Sequence, residues 1–152
     1  MPNYNFRKDL PIAQNTEHEI ALLLTNLYGA EIMEFSHDNR YDILAKMPAD
    51  IGTFSFEVKE DFTCEKTGNI GLEFECRGKP SGIAVSQADF YIYKMHTPTN
   101  GIQIILISTN KLKRMIRENK YFRIVNGGDK DSNSMNYLFK LAVFSTFGKI
   151  IG

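Results

Sequence analysis

The chain has little of what marks secreted, zinc-binding or membrane proteins. Its 152 residues include only two cysteines, Cys64 and Cys76. That is too few for a disulfide scaffold, and their spacing is not that of a zinc site. No apolar run approaches the length of a membrane span, and the first residues lack the hydrophobic stretch of a signal peptide. We therefore expect reduced thiols, no membrane partner and a cytoplasmic location.

Net charge is also lacking, because 18 acidic residues balance 18 basic ones. The charges are unevenly distributed, however. Residues 31–75 contain eleven acids and four bases, whereas residues 111–123 contain six bases and one acid. An acidic centre with a separate basic segment fits a protein that acts on a polyanion. The alternative for the basic segment is an ordinary solvated helix face.

The length predicts a single domain over residues 1–152 with a core of its own. A helix is predicted from Asn15-Thr16 to Gly29, because acids follow a capping residue and apolar residues recur at helical spacing. Short alternating or apolar runs predict strands, and a second helix begins at Asn110. Residues 83–95 are ambiguous, but their apolar positions favour a helix. The predicted strands are 31–36, 41–47, 53–59, 71–76, 102–108, 121–125 and 137–141. This order predicts an α/β fold with a mixed β-sheet flanked by helices.

Three charged residues stand out in the predicted strands. Asp42 lies near the start of the strand predicted for 41–47, and the next strand contains Phe54-Ser55-Phe56-Glu57-Val58-Lys59. Side chains alternate along a strand, so Glu57 and Lys59 share one face while Phe56 and Val58 share the other. Burying charge in an apolar segment is costly unless something binds it. A divalent cation held by Asp42 and Glu57, with Lys59 beside it, meets that requirement.

This acid, followed by Glu-x-Lys on a neighbouring strand, resembles the PD-(D/E)XK nuclease superfamily. In pattern the chain is most similar to archaeal-type and phage Holliday junction resolvases, which carry a glutamate early in the first helix. Glu17-His18-Glu19-Ile20, in the helix that ends at Gly29, resembles that run. The resemblance covers roughly the first half of the chain. Tyr41 stands where the superfamily's proline would precede Asp42.

The resemblance implies a restriction-endonuclease-like core and a catalytic set of Glu17, Asp42, Glu57 and Lys59. Glu17, Asp42 and Glu57 would bind Mg²⁺, with Mn²⁺ as a substitute, since hard cations prefer oxygen ligands. Glu19 is the alternative to Glu17, and Asp50 is the alternative to Asp42. Basic residues are expected to contact nucleic acid, namely Arg77, Lys79, Lys113, Arg114 and Arg117.

The implied function is Mg²⁺-dependent hydrolysis of DNA phosphodiester bonds by a structure-specific Holliday junction resolvase. The partner would be branched or duplex DNA, the assembly a homodimer, and the host a bacterium, an archaeon or a phage-infected cell. A restriction-like or repair nuclease of the same superfamily, and a DNA-binding module without catalysis, are the alternatives. Tyr91 is expected to pack in the core, and His37 and His96 to lie in solvated loops.

Overall fold

A computed structural model describes residues 6–36, 40–127 and 133–152, and the side chains from residue 14 onward within these ranges. The helices are α1 (Phe6–Tyr28), α2 (Cys64–Thr67), α3 (Thr109–Arg117) and α4 (Leu141–Phe147), with a 3₁₀ turn at Gly82–Ala84. The strands are β1 (Glu31–Phe35), β2 (Ile43–Met47), β3 (Gly52–Asp61), β4 (Asn69–Cys76), β5 (Lys79–Pro80), β6 (Phe90–His96), β7 (Ile102–Ser108), β8 (Arg123–Gly127), β9 (Ser134–Lys140) and β10 (Lys149–Ile150). The chain is thus an α/β protein.

A six-stranded mixed sheet has the order β1-β2-β3-β6-β7-β10. Strands β1, β2 and β3 form an antiparallel meander, β3 pairs in parallel with β6, and β7 is antiparallel to both β6 and β10. The register of the parallel pair places Glu57 beside Tyr91 and Lys59 beside Tyr93. The charged positions of β3 therefore lie beside two tyrosines of the central strand β6.

A second sheet has four antiparallel strands in the order β5-β4-β9-β8. A register shift interrupts the β4–β9 ladder between Glu73 and Glu75. This sheet joins the first through a shared apolar core. The core contains Ile70, Leu72 and Phe139 from the four-stranded sheet together with Tyr91, Tyr93, Met95, Ile105 and Ile107 from the six-stranded one.

Helix α1 covers the opposite face of the six-stranded sheet. Its apolar stripe includes Ile20, Ala21 and Leu24, which pack with Ile43, Ala45, Phe56 and Ile92. Helix α3 joins the other core through Leu112 and Met115, and α4 joins it through Phe144. Helices thus flank the mixed sheet on both sides, as the sequence predicted. Of the helices in the described ranges, none combines the length and apolar character of a membrane span.

Two predictions from the sequence need correction. Helix α1 begins at Phe6, before the predicted start at Asn15-Thr16. The helix favoured for residues 83–95 is wrong, because that segment forms the 3₁₀ turn and then β6. Strand β6 is buried on both faces, with Tyr91 on one side and Ile92 on the other. A strand covered on both faces shows no polar–apolar alternation, so the two-residue period that would identify it as a strand is absent from the sequence.

Candidate active site

Strand β3 presents its charged and apolar residues on opposite faces, as predicted. Phe56 is buried under α1, and Val58 packs against the same core. Glu57 and Lys59 lie on the other face, where Lys59 Nζ is 3.4 Å from Glu57 Oε1. The Glu57 side chain is 18% exposed and that of Lys59 47%. The strand therefore holds a mostly buried carboxylate beside an accessible ammonium group.

Asp42 lies immediately before β2 and continues the β2–β3 ladder by one position. Its backbone N–H donates to the Phe56 carbonyl at 2.9 Å. Its Oδ2 accepts the Val58 N–H at 2.7 Å. The side chain thus replaces a backbone acceptor where β2 has not yet begun. This bond fixes the Asp42 carboxylate alongside the segment of β3 that carries Glu57.

Helix α1 supplies a third carboxylate, that of Glu17, which lies within hydrogen-bonding reach of Asp42 when one of the two is protonated. Burial, the charges of Asp42 and Glu57, and this hydrogen bond together raise the pKa of Glu17 to about 7. A proton shared between Glu17 and Asp42 accounts for the hydrogen bond, because two ionised carboxylates cannot donate to each other. The three acids and Lys59 form one cluster, which we call the carboxylate cluster.

Burial also raises the pKa values of the other two acids. For Asp42, the Val58 N–H and the Lys59 charge oppose the effect of burial. For Glu57, Lys59 opposes it while the charge of Asp42 adds to it. The net direction is upward for both groups, so each is held where its charged form is disfavoured. Perturbed acids gathered in this way are common in functional sites.

The two alternative carboxylates lie elsewhere. Glu19 points to β6, where its Oε1 is 2.6 Å from Lys94 Nζ. Asp50 is in the turn between β2 and β3, and its backbone has a positive φ of 57°. That turn is at the opposite end of β2 from Asp42. The geometry therefore favours Glu17 over Glu19 and Asp42 over Asp50.

The donor chemistry of the carboxylate cluster fits a hard divalent cation, which prefers carboxylate oxygens. The pKa of Glu17 is raised first by burial and then by the negative charges of Asp42 and Glu57, and a bound cation would offset both effects. Within the described ranges, however, no three His, Cys, Asp or Glu side chains are already arranged as a metal site. Glu17 is engaged with Asp42, and Glu57 is engaged with Lys59.

A second polar cluster, on the α1 side of the sheet, escaped the sequence analysis. Glu60 accepts a hydrogen bond from Thr16 at 2.5 Å, and its other oxygen is 2.7 Å from His96 Nε2. Burial by itself would raise the pKa of Glu60, but the bonds to Thr16 and His96 and the Lys94 charge lower it. His96 was predicted to lie in a solvated loop, which is wrong, because it belongs to β6. His37 lies outside the described residues.

Tyr91 packs in the core as predicted, but its hydroxyl lies near the acids. Burial raises the pKa of the Tyr91 hydroxyl to about 12, and the negative charges of Glu57, Asp42 and Glu73 add to this effect. Ser86 lies close enough to lower that pKa, yet no described residue makes a well-formed hydrogen bond to the Tyr91 hydroxyl. The sequence contains only a weak indication of this: Gln87 and Tyr91 are four residues apart and would share a helix face, but Tyr91 lies in β6.

The five basic residues expected to contact nucleic acid are all exposed. Arg77 is in the turn after β4, with a φ of 52°, and Lys79 is in the short strand β5. The other three, Lys113, Arg114 and Arg117, are on α3. Arg114 Nε is 3.9 Å from Glu118 Oε2. The hydrogen bonds and ion pairs of the described residues do not join any of the five to the carboxylate cluster.

Comparison of the sequence with models of known protein families gives no match, and neither does a search of curated proteins.

Proposed function

We propose that this chain is a Mg²⁺-dependent nuclease that hydrolyses DNA phosphodiester bonds. The observation that carries the proposal is the meeting of Glu17, Asp42, Glu57 and Lys59, contributed by a helix, a strand start and a neighbouring strand. This arrangement agrees with what the resemblance to the PD-(D/E)XK superfamily implies for these four residues. On this proposal, the six-stranded sheet and α1 form a restriction-endonuclease-like core.

The carboxylates of Glu17, Asp42 and Glu57 would hold the cation. When bound, Mg²⁺ supplies polarisation of a phosphoryl oxygen and a lower pKa for an attacking water. Lys59 is accessible and lies beside Glu57, so its ammonium group can orient the water or offset charge that develops on the phosphate. Asp42 keeps its position through the Val58 N–H, which holds its Oδ2 in place, and a bound cation would replace the proton that Asp42 shares with Glu17.

The proposed substrate is branched DNA of the Holliday junction type. The two sheets of the described residues share one apolar core, and a compact unit of this kind favours recognition of DNA shape over a long base sequence. Symmetrical cleavage of two strands implies a homodimer with two-fold symmetry. The basic side chains of α3 and of the β4–β5 turn would contact phosphates away from the reacting bond.

The test is cleavage of a four-way junction in the presence of Mg²⁺. Wild type should cut, whereas Glu57→Gln and Lys59→Ala should lose at least about 100-fold in rate. Matched controls are Glu31→Gln and Lys46→Ala, which change exposed residues of β1 and β2 and should retain activity. Circular dichroism would verify that every variant is folded.

Other substrates in the same assay separate the alternatives. Faster cleavage of linear duplex, flap or single-stranded DNA than of the junction would indicate a restriction-like or repair nuclease. Binding of DNA with no cleavage of any substrate, by wild type in Mg²⁺ or Mn²⁺, would contradict the enzyme proposal and leave a DNA-binding module.

A further inference from the structure

A groove opens beside Lys59, where the two sheets meet. Its inner part has a volume of about 230 Å³ and is lined by Lys59, Tyr91 and residues of β4 and β9. Its outer part has a volume of about 420 Å³ and extends to the loop after β3 and to β8. Four lining residues are common to both parts, namely Glu60, Asp61, Gly71 and Asn136. The groove is therefore continuous with the carboxylate cluster.

The floor of the groove is a flat patch of the four-stranded sheet centred on Asn136. Glycines lie on both neighbouring strands. A Cβ on Gly71 would be 3.5 Å from Asn136 Oδ1, and one on Gly127 would be 3.0 Å from Nδ2. Among the described residues, none hydrogen-bonds the Asn136 amide. The floor thus presents an available amide donor and an available acceptor between two glycines.

An aromatic wall stands at the outer part of the groove. Phe62, in the loop after β3, is 54% exposed. Its ring stacks on His96, with centroids 4.5 Å apart and planes inclined by 25°. A large aromatic ring that is held in place but still exposed offers a stacking surface to a flat ligand.

The charge of the groove disfavours phosphate inside it. Asp61 and Glu73 line it, and each is already hydrogen-bonded within the protein, whereas the Glu60 carboxylate is bonded to Thr16 and His96 on the α1 side of the sheet. Asp61 accepts the N–H groups of Thr63 and Cys64, and Glu73 accepts the Ser81 hydroxyl. An anion would meet negative charge there, whereas a neutral heterocycle would meet an amide and an aromatic ring.

Positive charge is found at both ends of the groove instead. Lys59 lies at the inner end. Arg123 is paired with Leu138 in the ladder, and Lys140 is paired with Asn69. Leu138 and Asn69 both line the outer part, and directly paired residues share a face of the sheet. A DNA strand whose phosphates contact these cations at the two ends could direct one of its bases into the groove.

We propose that the groove binds an unpaired nucleobase of the DNA strand whose phosphate lies at the carboxylate cluster. The base stacks on Phe62 and forms edge hydrogen bonds with Asn136, as amides do with base edges. The inference rests on the proposed nuclease activity but favours a different substrate, namely branched DNA with unpaired nucleotides beside the scissile bond over a fully paired four-way junction. A base inside a fully paired duplex is stacked and cannot enter without extrusion.

The test uses duplex DNA with a single-stranded extension that carries 2-aminopurine at one unpaired position, placed in turn along the extension. The protein is Glu57→Gln, so that the DNA stays intact. Binding should change the 2-aminopurine emission at one or two positions by about two-fold or more, because stacking alters its fluorescence. The same label within a fully paired duplex should not respond.

Three variants in the Glu57→Gln background test the groove itself. Phe62→Ala removes the stacking ring, Asn136→Ala removes the amide, and Gly71→Val fills the floor at a position with ordinary strand geometry. Each should abolish the emission change and weaken binding of the extension about 10-fold. Asn26→Ala and Ile51→Ala, at exposed positions away from the groove, are the matched controls and should behave like Glu57→Gln alone.

The outcomes separate the two proposals. An unchanged response in all three groove variants, an equal response from the paired duplex, or no response at any position would overturn the groove. Cleavage by wild type that does not depend on the groove residues would support the nuclease proposal and contradict base binding in the groove. An emission change that depends on the groove residues, in a protein that cuts no substrate, would support base binding in the groove and contradict the nuclease proposal.

Discussion

Glu17 illustrates how the carboxylate cluster opposes folding. Its pKa is about 7 in the folded chain and 4.5 for an ordinary glutamate. The folded state therefore binds more protons than the unfolded state between these values, and stability must fall as the pH rises from about 4.5 to about 7. The raised pKa values of Asp42 and Glu57 act in the same direction. The carboxylate cluster therefore lowers the stability of the folded state at neutral pH, and a cation bound to it should raise that stability again.

The first prediction concerns Glu17→Gln in a buffer that contains a chelator. The variant should be more stable than wild type at pH 8 by on the order of 1 kcal/mol, after allowance for solvent screening of this partly exposed group. At pH 4.5 the difference should largely vanish. Urea unfolding at several pH values measures it, with Glu31→Gln as the control. A constant difference across this pH range would contradict the assigned environment of Glu17.

The second prediction separates the two roles of Asp42. Asp42→Ala leaves the Val58 N–H without its acceptor and should destabilise the fold by about 1–2 kcal/mol. Asp42→Asn keeps an acceptor oxygen at that position and removes a charge from the crowded cluster, so its stability should match or exceed that of wild type. Both variants should lose cleavage activity. Equal destabilisation by the two substitutions would show that the bond to Val58 contributes little.

At the scale of elements, the position of Glu17 depends on how α1 is fixed to the sheet. Thr16, the preceding residue, donates to Glu60 on β3, and Glu19 pairs with Lys94 on β6. These polar contacts flank Glu17 in sequence, while Ile20 and Leu24 bury the apolar face of the helix. The helix is thus held on both sides of the residue that it contributes to the carboxylate cluster.

The third prediction concerns Glu60→Ala, which removes the acceptor shared by Thr16 and His96. We expect a loss of about 1–3 kcal/mol in the free energy of unfolding, and weaker binding of Mn²⁺ because Glu17 is held less firmly. Glu60→Gln, which keeps an acceptor for Thr16, should recover part of both. Urea unfolding and calorimetry with Mn²⁺ measure the two effects, and Glu65→Ala, at an exposed position of α2, is the control. A loss of stability with unchanged Mn²⁺ affinity would show that Glu60 does not position Glu17 for cation binding.

The elements also explain which features were predictable from the sequence. The facing of Glu57 and Lys59 follows from strand alternation, which is a local property. The alternation of residues 71–76 likewise identified β4. By contrast, the contact between Glu60 and His96 joins residues 36 positions apart. The groove needs β3, β4 and β9 in one place, and no local pattern states that a second sheet packs beside the first.

At the scale of the whole molecule, cation binding and folding should be linked. Glu17 lies on a helix that docks against the sheet, Asp42 begins β2, and Glu57 is in β3, so the three carboxylates meet only in the folded chain. A ligand that binds only the folded state stabilises it by an amount that grows with the ratio of its concentration to its Kd. Protons compete for the same oxygens, most strongly below the Glu17 pKa of about 7.

The fourth prediction follows from this linkage and needs no DNA. Mn²⁺ at about 100 times its Kd should stabilise the fold by about 2.7 kcal/mol, which corresponds to a rise in Tm of roughly 5–10 °C for a chain of this size. At a fixed Mn²⁺ concentration the rise should be larger at pH 8 than at pH 5.5, because protons occupy the carboxylates at the lower pH. Differential scanning calorimetry measures it, and Asp42→Asn and Glu57→Gln should abolish it while Glu31→Gln should not. An equal rise in all these variants would show that the cation binds away from the carboxylate cluster. Lys59 would then have no cation beside it, and the proposed hydrolysis would be contradicted.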